Sequence, residues 1–112
     1  TQPFLWGKGS DPTTGMNLSD RKETLFDLQI SSLTYWQVLE QYNDTLRQVS
    51  AVANVPLVDL AKKLNKDTAL YLDRMHFGND GAEMVGRLVA ENICAWLKRT
   101  FPQHARKPIS AC

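Results

Sequence analysis

The chain has 112 residues, enough for one domain with a modest core. Apolar residues make up 43% and charged residues 22%, an ordinary globular balance that excludes a disordered chain. Thirteen basic against twelve acidic side chains give a net charge of +1, which offers no electrostatic basis for binding nucleic acid or an acidic membrane surface.

Residues 1–7 have neither an initiator Met nor the basic start and apolar stretch of a signal peptide, so the chain is expected to begin inside a longer polypeptide. No apolar run reaches membrane-spanning length. Residues 1–6 read as the end of a buried strand or the turn just after it, with Pro3 arguing against a central strand position. Residues 7–19 are rich in Gly, Pro, Ser, Thr and Asp and read as loop. Ser19 is placed to cap a short helix over residues 19–23. The apolar residues that follow, Leu25, Phe26, Leu28 and Ile30, fit helix and strand equally.

Residues 35–53 predict a helix. Tyr35, Leu39, Tyr42, Leu46, Val49 and Ala53 step by four and three, which puts them on one buried stripe. Gln37, Glu40, Gln41, Asn43, Asp44, Arg47 and Gln48 then form its wet face. Asn54 can end the helix in a left-handed conformation. Val55-Pro56-Leu57-Val58 is a short apolar run of the kind found in a strand buried on both faces. Asp59 reads as the N-cap of a short helix through Leu60, Lys62 and Leu64.

Residues 79–99 predict a second long helix. Asn79 or Asp80 caps it, and Asp80 with Glu83 can form a capping box. Val85, Leu88, Val89, Asn92, Ile93, Trp96 and Leu97 share its apolar face, while Glu83, Arg87 and Glu91 are spaced to pair. Lys98 and Arg99 suit its C-terminal dipole, and Phe101-Pro102 stops it. Residues 103–112 read as a polar tail holding His104. Cys94 fits a small core residue, and a bridge between Cys94 and Cys112 is left open.

The order strand, long loop, helix, strand, short helix, loop, helix is a βαβα unit of an α/β fold, with two parallel strands joined by a right-handed crossover. Two such strands want further parallel neighbours, so the expectation is one part of a larger sheet.

Asp73 and His76 carry the chemistry. They fall just before the second long helix, at the carboxyl end of the expected strands, where α/β sheets bind ligands. A histidine base needs a partner that fixes its tautomer, an open second nitrogen and a neutral ring. Asp73, three residues earlier, can accept the ring N–H if the segment turns. The helix N-terminus that follows helps to keep the ring neutral. Trp6, Phe26, Tyr35 and Trp36 fit either a substrate wall or ordinary packing.

The segment Tyr71-Leu72-Asp73-Arg74-Met75-His76-Phe77-Gly78-Asn79-Asp80-Gly81 resembles the last signature block of the SGNH (GDSL-type) ester hydrolases, in which D-x-x-H is followed by a Gly and a long C-terminal helix. Tyr42-Asn43-Asp44-Thr45-Leu46-Arg47 and Val55-Pro56-Leu57-Val58-Asp59-Leu60 resemble the family's preceding helix and strand, and Thr1-Gln2-Pro3 the end of the strand before that helix. The resemblance covers residues 35–97 and is thin over 7–34. It implies the C-terminal half, over residues 1–102, of a three-layer α/β/α sandwich with a flavodoxin-like parallel sheet, and a loop-rich insertion at 7–34. It also implies a Ser-His-Asp triad with His76 as base and Asp73 as orienting acid. The oxyanion hole would come from the Ser amide, a Gly and an Asn.

The other family blocks have no match. Ser10, Ser19, Ser31, Ser32, Ser50 and Ser110 lack a G-D-S context, and Gly78-Asn79-Asp80 follows the His and reads as a helix start. The nucleophile is therefore expected on an upstream, N-terminal part of the same domain. The substrate implied is a small ester of an alcohol, sugar or lipid, with no cofactor and no metal. The alternatives are an O-acyltransferase using the same triad and a non-catalytic α/β interaction module. The compartment stays open.

Overall fold

The computed structural model describes residues 1–104; residues 105–112, which include most of the expected polar tail and Cys112, lie outside the described residues. The elements are strands β1 (Lys22–Leu25) and β2 (Leu28–Ser31) and helices α1 (Ser32–Ala53), α2 (Leu60–Lys63) and α3 (Asn79–Thr100). Two 3-10 turns lie at Thr68–Leu70 and Pro102–His104.

Both long helices lie where their periodicity places them. The Ser31 side chain accepts the Thr34 amide and caps α1, and Asn54 ends it in the left-handed region at φ 52°. Lys98 and Arg99 occupy the last turn of α3, and Phe101 stands at its C-cap. The expected capping box at the start of α3 does not form. The cap is Gly78, with no side-chain bond. The expected helix over 19–23 is absent as well. Asn17 accepts the Ser19 amide at 3.0 Å in a turn, and β1 follows.

The expected parallel sheet and three-layer sandwich are overturned. The sheet among the described residues is a two-stranded antiparallel hairpin in which Lys22 pairs with Ser31 and Leu25 with Leu28. It lies inside the stretch read as a loop-rich insertion. Phe26 and Asp27 connect its strands at φ 48° and 66°, the positive values that a type I′ turn requires.

Residues 1–6 and 55–58 are neighbours but form no ladder. One main-chain bond joins them, from the Thr1 nitrogen to the Val58 carbonyl at 3.1 Å. The physical reason lies in Gln2. Its N–H donates to Asn43 Oδ1 at 2.8 Å, and its carbonyl accepts from Asn43 Nδ2 at 2.9 Å. A side-chain amide thus takes the groups that a strand partner would use. Pro3 and Pro56 remove two further donors. Val55 is largely exposed, so the run after α1 is not a strand buried on both faces.

The core is a small cluster. Leu5, Leu18, Leu64 and Tyr71 form its buried centre, ringed by Trp6, Met16, Leu70, Phe77, Met84, Val85 and Leu88. The radius of gyration is 16.8 Å, against about 13 Å for a compact chain of this length.

The face of α1 that turns inward is not the expected one. Asn43 is fully buried and the Arg47 side chain is 16% exposed, although both were assigned to the wet face. Tyr42, Leu46 and Val49, assigned to the buried stripe, are exposed.

Candidate functional site

Asp73 and His76 lie on a tight loop held at its base and its crown. Tyr71 and Phe77 bridge antiparallel, and the Leu72 N–H donates to the His76 carbonyl at 2.8 Å. The rings of Tyr71 and Phe77 lie 5.2 Å apart over the core. Tyr71 is buried, and burial pushes its hydroxyl up to about 12. The Leu5 N–H donates to the Arg74 carbonyl at 3.0 Å, which ties the loop's crown to the N-terminal segment.

The loop leads directly into α3, and Gly81 explains how closely the two pack. A Cβ at Gly81 would lie 2.0 Å from the Leu70 carbonyl oxygen. Glycine is required here by close approach, since its φ is not positive.

Within the loop the geometry is that of an oriented imidazole. His76 Nδ1 lies 2.7 Å from Asp73 Oδ2. The other carboxylate oxygen, Oδ1, accepts the Met75 N–H at 2.7 Å and the His76 N–H at 2.8 Å. An ionised carboxylate only accepts, so Nδ1 donates to it, and in the neutral ring Nε2 then holds the lone pair. The His76 ring bond, followed by the two backbone N–H bonds, holds the Asp73 carboxyl well below the usual carboxylate range. The side chain of His76 is 77% exposed and that of Asp73 53%. No Ser, Thr or Cys side chain among the described residues bonds to the ring.

A second, unpredicted group of residues braces the loop. Arg74 Nη1 pairs with Glu23 Oε2 on β1 at 3.1 Å, and its guanidinium lies 5.7 Å over the Tyr35 ring. Glu23 Oε1 accepts from Trp6 Nε1 at 2.7 Å. The hairpin is thereby locked to the loop that carries the histidine. Three of the four aromatics read as a wall or as packing pack within the chain: Trp6 through this bond, Tyr35 stacked 5.0 Å from Phe4, and Trp36 under the Lys66 ammonium at 5.5 Å. Phe26 alone stands clear, 89% exposed at the hairpin tip.

Asp59 departs from its expected role. It stands at the N-cap of α2 but makes no capping bond. Its carboxylate is gripped by Arg47, with Nε to Oδ2 at 2.7 Å and Nη2 to Oδ1 at 2.9 Å, and it accepts the Thr1 hydroxyl at 2.7 Å. Arg47 also reaches Glu40 and Asp44. The Arg47 hydrogen bonds hold the Asp59 carboxyl well below the usual range.

Asp11 is a further buried carboxylate, one that no motif singles out. Burial acts to raise its pKa, but hydrogen bonds from Thr14 and Thr68 outweigh that and lower it. Cys94 is buried and is not a free thiol. The question of its bridge to Cys112 falls outside the described residues. His104 is exposed on the last turn, 6.5 Å from the Phe101 ring.

A cleft of about 690 Å³ opens between the C-terminal halves of α1 and α3, lined by Arg47, Asn54, Leu57, Trp96 and Arg99 among others. No residue of the Asp73–His76 loop lines it. Among the described residues no helix is long and apolar enough to cross a membrane, and no three His, Cys, Asp or Glu side chains are grouped to hold a metal ion. Comparison with protein-family models, curated proteins and solved structures finds no match for the chain.

Proposed function

We propose that this chain supplies the base and the orienting acid of a Ser-His-Asp ester hydrolase, with the serine and oxyanion hole contributed by a polypeptide segment outside residues 1–104. The observation that carries this reading is the 2.7 Å bond between His76 Nδ1 and Asp73, which in the neutral ring puts the lone pair on Nε2 of a largely exposed side chain. In the reaction Nε2 takes the proton of the serine hydroxyl as that oxygen attacks the ester carbonyl. It returns the proton to the leaving alcohol, and Asp73 stabilises the imidazolium formed between the two steps. A water molecule then repeats the cycle on the acyl-serine. The resemblance of residues 71–81 to the last block of the GDSL-type hydrolases points to the same roles.

Two measurements test the reading. In the chain itself, nitrogen NMR of the neutral His76 ring should show a protonated Nδ1 and a bare Nε2. Asp73→Asn should erase that preference. In a polypeptide or complex that carries the nucleophile, His76→Ala should cut kcat by several orders of magnitude while KM changes little. An Nε2–H tautomer in the chain, or full activity in His76→Ala, would sink the assignment.

A further inference from the structure

The Asp73 and His76 side chains are both more than half exposed, so packing around them does little to hold them together. Their own bonds are local. Asp73 Oδ1 accepts the N–H groups of Met75 and His76, inside the turn that the two residues bound. A short exposed turn closed by such bonds opens readily unless something further away holds it. Arg74, inside the turn, is where distant parts of the chain take hold. Its carbonyl accepts the Leu5 N–H, its Nη1 meets Glu23 Oε2 at 3.1 Å, and its guanidinium covers the Tyr35 ring.

Glu23 is firmly mounted for this task. Its side chain is 14% exposed, and its two oxygens take different donors, Trp6 Nε1 on Oε1 and Arg74 Nη1 on Oε2. The Arg21 guanidinium lies 5.6 Å from the centre of the Trp6 ring. At the base of the hairpin the Ser32 N–H donates to the Arg21 carbonyl at 2.7 Å, and the Arg21 N–H donates to Ser32 Oγ at 3.1 Å. Ser32 Oγ in turn donates to the Leu18 carbonyl at 3.0 Å. Ser32 is fully buried and is the first residue of α1. Tyr35, in the first turn of that helix, stacks on the buried Phe4. The carboxylate and the ring that hold Arg74 therefore rest on one junction of hairpin and helix. A carboxylate this little exposed is screened less by water and salt than one on the open surface.

We propose that Glu23 is a positioning residue for His76, acting through Arg74 to hold the turn in which the ring meets Asp73. The proposal rests on the reading of His76 as a base. Glu23 takes no part in the proton transfer. It raises the fraction of molecules in which Asp73 holds Nδ1–H and Nε2 is presented with its lone pair. The hairpin, remote in sequence from the dyad, thereby becomes part of what orients it.

Nitrogen NMR of the neutral His76 ring in the chain, read as the ratio of Nδ1–H to Nε2–H forms, tests this. Glu23→Gln keeps the size of the side chain and an acceptor for Trp6. It should lower the ratio at least about twofold. Arg74→Met should lower it as far, and the double variant no further than Arg74→Met alone, because Glu23 acts through Arg74. Asp59→Asn, which breaks an ion pair outside the loop, is the control. It should lower stability and leave the ratio at the wild-type value. Circular dichroism checks folding, and Glu23→Asp, which keeps the charge but shortens the reach, stands in for a Glu23→Gln chain that does not fold. A wild-type ring in the Nε2–H form would overturn the base reading and this proposal together. A wild-type Nδ1–H ring whose ratio is unchanged in Glu23→Gln would overturn the proposal alone. So would an equal loss in Asp59→Asn, or effects of the Glu23 and Arg74 substitutions that add.

Discussion

Two side chains on α1 decide how the N-terminal segment lies. The Asn43 amide satisfies both backbone groups of Gln2, and Arg47 grips the Asp59 carboxylate at the start of α2. Neither is an apolar contact, so hydrophobic periodicity assigned both to solvent. The same logic governs Gly81, where space decides the residue. Gly81→Ala forces a methyl group to within 2.0 Å of the Leu70 carbonyl, a backbone atom that cannot swing aside. It should cost roughly 2–3 kcal/mol as strain. It should also blur the His76 tautomer signature, since residues 70–78 anchor that loop. Gly86→Ala is the control. No atom lies within 4 Å of its Cβ position, and it sits in the interior of α3. That substitution should stabilise the chain by about 0.5–1 kcal/mol. Urea midpoints at constant m separate the two. Equal effects would mean that the Leu70 contact is not the constraint on Gly81.

At the scale of elements, the helices were legible and the strands were not. A 3.6-residue period over some twenty positions is a strong signal, and Asn54 and Phe101-Pro102 marked the helix ends. The strand readings rested on two short apolar runs. A strand exists only through its ladder, and here Asn43 and two prolines remove the partners. The hairpin went unread because its turn is Phe26-Asp27 rather than the Asn-Gly that would have announced it. An L-residue in the left-handed region costs about 1–2 kcal/mol. Phe26→Asn with Asp27→Gly relieves that cost, and Phe26 has little packing to lose at 89% exposure. The double variant should raise stability by about 1 kcal/mol. It should also slow hydrogen exchange at the paired amides of Lys22–Leu25 and Leu28–Ser31. A destabilised hairpin would show that Phe26 has a role beyond the turn. The candidate site was the most legible feature. Two residues three apart need only a local turn to meet, whereas its brace, Glu23 on Arg74, joins positions that only the tertiary fold brings together.

For the whole molecule, three depressed carboxylates set the acid limit. Asp59 is held low by Arg47, Asp73 by the His76 ring and two backbone N–H groups, and Asp11 by Thr14 and Thr68 against the opposing effect of burial. A carboxylate whose pKa is lower folded than unfolded contributes its full stabilisation above the unfolded value of about 3.9, and loses it as pH falls through that range towards the folded value. Stability should therefore hold from pH 7 to about 5 and drop steeply below about 4. The alkaline side runs the other way at first. Burial lowers Lys66 to about 8, so the folded chain binds fewer protons than the unfolded one between that value and the ordinary lysine range. Stability rises there until Tyr71, raised to about 12, reverses the trend above the ordinary tyrosine value of about 10. Asp59→Asn isolates one of these acid contributions. The Arg47 and Asp59 side chains are only 16% and 20% exposed, and neutralising Asp59 takes from Arg47 its bidentate partner and leaves it Glu40 and Asp44. The variant should lose about 2–3 kcal/mol at pH 7 and less at pH 3, where Asp59 of the unfolded wild-type chain takes up a proton while the folded one stays ionised. Urea unfolding of both proteins from pH 3 to 8 makes the comparison. The two stability curves should converge on acidification. If they run parallel, the Arg47–Asp59 pair is not what fails in acid, and Asp11 and Asp73 must carry the loss.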